Sequence, residues 1–330
     1  MPVIEFESPA SVFDPLMVRA ELPLRSKHHL LGFGLELETN SSLVVEAAAQ
    51  SWPAAAELFA DPPIRLSIGV KSEDLAAPTP PPVFRSRGHL LSIVSGPEDS
   101  MVCDFRCGFG FGWLRGATAA DPAFFRYHFL EAAALSMLEQ RSLASVHGAA
   151  VAHSGKGILL CGESFAGKST LAYACARAGW TLVSDDATYF VRSRTDLFAV
   201  GHSHVLRFRP DAPLLFPELA GRSVATRPNG KPGIEVFTKD LNGIQTAPGA
   251  AIHHVVFLDR SGRGPARLGR YSPGEKFTTL TSAYLYGQDD VRAEQMRTYE
   301  RLAQRPTWRL TYSNLDEAVA RLDALVADGM

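Results

Sequence analysis

One stretch near the middle of the chain has the residue types and the spacing that phosphate binding requires. Residues 162–169 read GESFAGKS and match the pattern G-x-x-x-x-G-K-[ST]. Two glycines in this pattern let the backbone curl so that successive N–H groups point at phosphate oxygens, and the helix that follows places its positive end behind them. The sequence therefore predicts nucleotide binding by Gly162, Glu163, Ser164, Phe165, Ala166, Gly167, Lys168, Ser169 and Thr170.

Three side chains at the end of this loop have distinct expected roles. Lys168 should reach the outer phosphates of the nucleotide, and the hydroxyl of Ser169 should bind Mg²⁺. Thr170 could add a second hydroxyl. ATPase motors, GTP switches and small kinases all use a loop of this kind. The loop by itself therefore does not choose among these classes of protein.

A pair of adjacent carboxylates, Asp185 and Asp186, follows the apolar run 180–184. Two neighbouring carboxylates are costly to hold together unless a cation neutralises them. Neighbouring side chains of a strand point in opposite directions, so at the exit of a strand one can face a metal ion and the other a substrate. A kinase needs both a Mg²⁺ ligand and a base near the acceptor hydroxyl. The pair therefore favours a kinase, and a surface turn of two aspartates is the alternative.

The elements that must position these residues are predicted from periodicity and turn signals. Apolar runs on both sides of a turn at 154–157 predict a hairpin, whose second strand, 158–161, runs directly into the loop. A helix is expected from Lys168 to a C-cap at Gly179, and a strand on each side of the aspartate pair. The order strand, glycine loop, helix and strand is the context in which the pattern works as a phosphate loop.

The chain is predicted to form two domains. Residues 1–120 read as short strands and turns and should form a small α+β domain, to which no chemistry can be assigned. Within it the proline-rich segment 73–82 is expected to be a surface loop, because consecutive prolines cannot feed a sheet ladder. Residues 121–330 should form the nucleotide-binding domain. This domain begins with Asp121 as a helix N-cap and ends in an amphipathic helix capped by Asn314.

Composition and charge narrow the classes of protein. The chain is 46% hydrophobic and 21% charged with a net charge of −2, so it lacks the basic excess that marks nucleic-acid binding. No apolar run approaches the ~20 residues of a membrane span, and the N-terminus lacks the pattern of a signal peptide. A cytoplasmic protein with no nucleic-acid and no membrane partner is therefore expected. Its state of association, including a homo-oligomer, is left open.

Cysteine and histidine supply no complete ligand set for a transition metal. Cys103 and Cys107 have C-x3-C spacing, but no second pair completes a zinc site, and the alternation around them predicts half-buried strand residues. Two histidine pairs in predicted strands are interpreted as packed or solvated side chains. We expect the purified protein to contain no stoichiometric zinc or iron.

The segment 145–190 resembles the catalytic core of bacterial HPr kinase/phosphorylase and its shorter relatives. That family shows a His-Gly pair in a strand, then a second strand and the phosphate loop, then a strand that ends in Asp-Asp. In this sequence His147 lies fifteen positions before Gly162, and Asp185 lies seventeen positions after Lys168. The ending PTWRLTYSNLDEAVARLDAL looks like that of the shorter relatives.

The resemblance implies a fold, two cofactors and a set of residue roles. The fold is the compact P-loop kinase core of the type shared by HPr kinase and phosphoenolpyruvate carboxykinase, which binds ATP and Mg²⁺ through the loop. By resemblance, Asp185 accepts the proton of an attacking hydroxyl and His147 lines the transfer site. Asp186 supports the metal ion together with Ser169. The roles of the two aspartates could be exchanged.

The sequence departs from the family after the aspartate pair. True HPr kinases carry a second signature similar to LEIRGLGI, with a Glu near the metal, and residues 204–221 do not match it. The phosphate acceptor is therefore left as a hydroxyl-bearing peptide, protein or small molecule; some shorter relatives are linked to the modification of ribosomally made peptides. Lys231 lies in a predicted turn and either contacts the substrate or is solvated. The alternative function is a nucleotide-binding sensor with vestigial chemistry.

Overall fold

The structure is a computed structural model that describes residues 21–71, 79–163, 165–226, 230–262, 264–272, 274 and 287–328. It is a mixed α/β protein with several sheets, as the sequence predicts at this coarse level. Internal contacts divide the chain into two compact units. The first comprises Met1–His28, Gly34–Ala54 and Asp61–Ala134, and the second comprises His29–Phe33, Ala55–Ala60 and Leu135–Met330. The domain boundary expected at residue 120 stays a prediction.

An N-terminal sheet contains seven of the described strands, which are β1 (Leu24–Leu30), β2 (Phe33–Thr39), β3 (Ile64–Lys71), β4 (Val83–Arg87), β5 (Leu90–Ser95), β6 (Asp99–Asp104) and β7 (Phe109–Arg115). Their order is β1-β2-β3-β7-β6-β5-β4. Strand β3 is parallel to β2 and β7, and the ladders from β7 to β4 are antiparallel. Buried and half-buried residues alternate along β2, which places one face of this strand in the core.

The helices of the N-terminal half are α1 (Ser42–Ser51), α2 (Gly116–Ala119), α3 (Pro122–Phe125) and α4 (Glu131–Arg141), with a π-helical turn, Arg126–Leu130, between α3 and α4. The N-cap predicted at Asp121 is confirmed. Its carboxylate accepts a hydrogen bond from the N–H of Phe124 at 3.0 Å, and Pro122 occupies the first helical position.

A buried ion pair joins β6 to the end of β7. Asp99 is 0% exposed and Arg115 is 5% exposed. The Asp99 carboxylate accepts hydrogen bonds from Nη2, Nε and the backbone N–H of Arg115 at 2.8, 3.0 and 2.7 Å. It also accepts one from the hydroxyl of Thr118 at 2.8 Å. The negative charge is therefore compensated on several sides, as a buried carboxylate requires.

The C-terminal part contains the strands β8 (Leu143–His147), β9 (Ala149–His153), β10 (Lys156–Cys161), β11 (Thr181–Ser184), β12 (Ala187–Val191), β13 (Phe198–Gly201), β14 (Val205–Phe208), β15 (Ala225–Thr226), β16 (Pro232–Phe237), β17 (Gln245–Thr246), β18 (Gly249–Asp259), β19 (Arg267–Arg270) and β20 (Thr307–Thr311). Its α-helices within the described residues are α5 (Lys168–Arg177), α6 (Asp289–Ala303) and α7 (Leu315–Asp328). Short 3-10 turns lie at Ala212–Leu214, Pro217–Leu219 and Thr238–Asp240.

Ten of these described strands form one sheet, and β14, β16 and β15 form a separate three-stranded sheet. The large sheet has the order β17-β11-β9-β10-β18-β13-β12-β8, and β20 pairs with β18 and with β19. Strands β10, β18 and β20 run parallel. Their carboxyl ends therefore meet at one edge of the sheet, where ligands bind in open α/β sheets.

Most elements predicted around the loop are present. Strands β9 and β10 form the expected hairpin, although it turns at Ser154 and Gly155 and β10 already begins at Lys156. Helix α5 ends just before Gly179, whose φ of 91° suits a C-terminal glycine. The cap predicted for the last helix is also confirmed, because Asn314 Oδ1 accepts a hydrogen bond from the N–H of Glu317 at 3.0 Å.

Two strand predictions are wrong in detail. The apolar run before the hairpin turn is two strands, β8 and β9, separated at Gly148, where a Cβ atom would lie 3.0 Å from the carbonyl oxygen of Leu160. Cys103 lies in a strand as expected but is fully buried rather than half-buried, and Cys107 is exposed in a turn. The Asp104 carboxylate accepts a hydrogen bond from the N–H of Cys107 at 3.1 Å and so ends the strand. Most of the loop expected at 73–82 lies outside the described residues.

The core beside the loop lies between the large sheet and helices α5 and α7. Trp180 is fully buried there, and its indole N–H donates to the Asp323 carboxylate at 2.8 Å, which links the end of α5 to α7. The apolar face of α7 is therefore held against the helix that follows the loop. In the described part of the chain, no helix combines the length and the apolar character that a membrane span needs.

Candidate active site

The loop after β10 depends on its two glycines. A Cβ atom at position 162 would lie 2.7 Å from Cβ of Ala166, and Gly167 has a φ of 90°. A Cβ atom at 167 would also lie 3.0 Å from both Cδ of Arg260 and the hydroxyl of Tyr312. Both positions therefore require glycine, and Gly167 leads directly into α5. Ser164, predicted to bind ATP, lies outside the described residues.

Lys168 is the first residue of α5 and is held inside the loop. It is 6% exposed, and its ammonium group donates to the carbonyl oxygens of Gly162 at 2.9 Å and Glu163 at 3.2 Å. Burial lowers the pKa of Lys168, and the negative charge of Asp186 opposes this shift. The ammonium therefore lies among loop carbonyls at the start of the helix, where a phosphate chain would be bound.

Asp185 is buried at the end of β11 and close to the start of α5. It is 3% exposed, and its carboxylate accepts a hydrogen bond from the N–H of Arg207 at 2.8 Å. Burial raises the pKa of Asp185 to about 6, although the charge and the N–H of Arg207 oppose the shift. The hydroxyl of Ser169 donates to the backbone carbonyl of Asp185 at 3.0 Å. This bond connects the first turn of α5 to the aspartate pair.

Asp186 and His147 form a second part of the site. Strand β8 pairs with β12 so that His147 lies opposite Ala187, next to Asp186. Nδ1 of His147 is 3.2 Å from Oδ1 of Asp186, whose side chain is 52% exposed. Burial lowers the pKa of His147, the charge of Lys168 lowers it further, and Asp186 opposes both effects. The structure therefore brings together the histidine, the lysine and the aspartates that the sequence singled out.

The remaining predicted residues lie at the margins of this group. Thr170 is half-buried in the first turn of α5, and Glu163 is exposed. Lys231 is exposed just before β16, and its charge contributes to the lowered pKa of His147. Its side chain is therefore near enough to influence the site electrostatically.

Phe165 is an exposed aromatic residue on the loop. It is 72% exposed, and its φ of 72° is unusual for a residue other than glycine. The guanidinium of Arg209 lies 4.9 Å from the centre of its ring. Such a backbone conformation is costly unless the surroundings impose it, and it is commonly found at functional sites.

The sequence interpretation missed several residues around the loop. Arg207 supports Asp185 and forms an ion pair with Glu235 at 3.2 Å across strands β14 and β16. Arg260 and Tyr312 follow β18 and β20 and reach Gly167. The sequence contains a signal for Arg260 and Tyr312. Each follows an apolar run, and the residues that follow parallel strands meet at one edge of a sheet.

The donor set of the site suits a hard cation. Ser169 and Asp186 offer oxygen ligands, and Mg²⁺ in proteins is bound by one or two carboxylates together with substrate phosphates and waters. Among the described residues, no group of three or more His, Cys, Asp or Glu side chains could hold a metal ion. The binding of Mg²⁺ by Ser169 and Asp186 together with a nucleotide therefore stays a prediction.

Comparisons with known proteins leave the family open. No family model matches the chain, and no curated protein matches it. Among solved structures the chain is similar to the HPr(Ser) kinase/phosphatase from Coxiella burnetii, with 14% sequence identity, 56% of this chain and 98% of that chain covered, and a TM-score of 0.29. Similarity at this level supports no conclusion about activity, so the predicted family and function stay predictions.

Proposed function

We propose that this chain is an ATP-dependent kinase that transfers the γ-phosphate to a hydroxyl group of a peptide, a protein or a small molecule. The observation that carries the proposal is the connection between the loop and the aspartate pair. Lys168 lies buried at the start of α5, and the next residue, Ser169, donates to the backbone of Asp185. The groups that we propose to bind phosphate and the two carboxylates therefore lie at one edge of the sheet.

The nucleotide would be bound by the loop. Backbone N–H groups at the start of α5 and the ammonium of Lys168 would contact the phosphates, and Lys168 would exchange its bonds to loop carbonyls for bonds to phosphate oxygens. Ser169 and Asp186 would hold Mg²⁺, which neutralises negative charge on the phosphates.

The transfer step needs a base, and Asp185 fits this role. The acceptor oxygen forms a bond to the γ-phosphorus, the bond between that phosphorus and the bridging oxygen breaks, and ADP leaves. The proton of the acceptor hydroxyl passes to the carboxylate of Asp185. Since the pKa of Asp185 is raised to about 6, the carboxylate is ionised at neutral pH but is more basic than an ordinary aspartate. His147 keeps the neighbouring Asp186 in place through their contact.

One observation favours a second candidate function, a nucleotide-binding sensor with vestigial chemistry. Asp185 is only 3% exposed and accepts a hydrogen bond from the backbone of β14. In a sensor this contact would connect the loop to the three-stranded sheet without any proton transfer. The two functions share nucleotide binding and differ in whether the γ-phosphate moves to an acceptor.

A single experiment tests the proposal at the loop. The protein is incubated with γ-labelled ATP, Mg²⁺ and a pool of serine-containing peptides, and ATP binding is measured by calorimetry. Lys168→Ala should weaken binding and transfer by orders of magnitude, because it removes the charge that offsets the phosphates. Lys239→Ala, at an exposed lysine beside Phe237, is the charge-matched control. Equal ATP affinity of the parent and Lys168→Ala would remove the nucleotide-binding assignment.

A further inference from the structure

Two residues outside the loop reach the start of α5. Strand β18 pairs in parallel with β10 and with β20, and Asp259 lies opposite Thr311 in the second ladder. The residues that follow the two strands, Arg260 and Tyr312, therefore emerge side by side, and the N–H of Tyr312 donates to the carbonyl of Asp259 at 3.0 Å. Both side chains lie against Gly167, at 3.0 Å from the position that a Cβ atom there would occupy.

The hydroxyl of Tyr312 is a buried polar group without a partner. The residue is 1% exposed, and within the described part of the chain its hydroxyl has no hydrogen bond. A buried hydroxyl without a hydrogen bond destabilises the folded state, so its position calls for an explanation. Burial raises the pKa of Tyr312 to about 12, so the phenol is neutral and able to donate. It lies where the N–H groups of α5 begin.

The guanidinium of Arg260 has a similar position. The adjacent Asp259 carboxylate accepts hydrogen bonds from the N–H and the hydroxyl of Ser261 at 3.0 and 2.6 Å, which fixes the turn after β18. Arg260 itself is exposed and forms no ion pair or hydrogen bond with any residue that the structure describes. Its Nη1 atom lies 3.7 Å from the Cβ position at Gly167. A cation therefore lies beside the loop, and its donors are available to a ligand.

We propose that Arg260 and Tyr312 bind the phosphate chain of the nucleotide at Gly167, together with Lys168 and the N–H groups of α5. The ligand class is a nucleoside diphosphate or triphosphate with its Mg²⁺. A guanidinium forms strong charge-assisted hydrogen bonds to phosphate oxygens, and the phenol supplies a further donor. This assignment rests on the proposed function, since it presupposes that the loop binds a nucleotide.

Calorimetry with two probes, Mg-ADP and magnesium pyrophosphate, tests the arginine. Arg260→Gln should weaken both probes by about tenfold or more, the loss expected when a charged hydrogen bond to phosphate is removed. Arg270→Gln, at the far end of β19 over Trp308, makes the same change of charge and should leave both affinities unchanged. If Arg260→Gln weakens Mg-ADP but not pyrophosphate, the guanidinium contacts the nucleoside and the phosphate assignment is wrong.

Tyr312→Phe gives a readout that a purely structural role would not produce. The variant should raise the melting temperature of the ligand-free protein, because it removes a buried hydroxyl without a partner, and should also weaken Mg-ADP binding. Unchanged affinity in both Arg260→Gln and Tyr312→Phe, with binding lost in Lys168→Ala, would overturn this inference and leave the proposed function intact. A parent protein that binds neither probe would overturn both.

Discussion

Two buried aspartates in this molecule have opposite surroundings. Asp99 in the N-terminal sheet is 0% exposed and is bonded to Arg115 through three separate donors and to Thr118. Asp185 beside the loop is 3% exposed and accepts a hydrogen bond from the backbone N–H of Arg207 at 2.8 Å, and the charge of Arg207 opposes the effect of burial only in part. Burial instead raises the pKa of Asp185 to about 6. A carboxylate whose charge is fully compensated by a bonded guanidinium serves the fold, whereas one whose charge is compensated only in part remains able to take up a proton.

The largest effect is expected when the carboxylate of Asp185 is neutralised. Asp185→Asn keeps the shape of the side chain and an acceptor for the N–H of Arg207, but it removes the base. Phosphate transfer should fall by roughly 10²–10⁴-fold, while calorimetry should show Mg-ATP binding retained. Transfer at the parental rate would contradict the kinase and favour the sensor.

The matching change at Asp99 should lower the free energy of unfolding and not the rate of transfer. Asp99→Asn leaves the buried guanidinium of Arg115 without its counter-charge, so the free energy of unfolding should fall by about 3–5 kcal/mol. Denaturant titration measures this loss, and Mg-ATP affinity of the folded fraction should be unchanged. In contrast, Asp185→Asn should leave the unfolding free energy equal or higher at neutral pH. If both variants lose stability alike, the distinction between the two aspartates fails.

A smaller effect is expected at Asp186, the exposed neighbour of Asp185 in the sequence. Asp186→Asn should raise the Mg²⁺ concentration needed for half-maximal transfer by about ten- to a hundredfold, since it weakens an oxygen ligand of the metal. Asp196→Asn, at a half-buried aspartate that pairs with Arg194 at 2.6 Å, serves as the control and should not change the Mg²⁺ requirement. Equal responses of the two variants would indicate a general charge effect and not metal binding.

The smallest effect is a dependence on pH. Because the pKa of Asp185 in the folded protein is raised from 3.8 to about 6, the transfer rate should rise as pH increases through about 6, and this limb should disappear in Asp185→Asn. The raised pKa also contributes to the free energy of unfolding. This contribution is fully present below pH 3.8 and is lost as the pH rises through about 6. The free energies of unfolding of the parent and of Asp185→Asn, measured from pH 4 to 7, should therefore diverge as the pH rises. A difference in unfolding free energy that does not change with pH would show that the pKa of Asp185 lies outside this range.

The sequence predicted those parts of the site that are close together along the chain. The loop, Lys168 and the aspartate pair belong to one strand-loop-helix-strand unit, whose local signals are strong. His147 was placed by resemblance, and its contact with Asp186 depends on the pairing of β8 with β12. Arg260 and Tyr312 were missed because apolar periodicity identifies strands but not which distant strands become neighbours.

The break at Gly148 was missed for a related reason. Apart from Ser145 and His147, the residues of β8 and the first four residues of β9 are apolar, and both strands are largely buried, so no change of period marks the boundary. The close approach that favours glycine at position 148, to the carbonyl of Leu160, comes from a neighbouring element of the fold. In the same way, the αL-type backbone of Phe165 has no signature in the residue type and follows from the curvature of the loop.

Strand β18 has a consequence for the order in which this protein folds. It forms ladders with β10, β13 and β20, and it pairs Leu160 with Val256, which lies 96 positions later in the chain. The hairpin and α5 can form early from local contacts, but the edge that holds Arg260 must wait for this distant pairing and its loop-closure entropy. A nascent chain would therefore acquire the nucleotide affinity that we propose only late in synthesis. Once formed, the amides of β18 should be among the slowest to exchange with solvent deuterium.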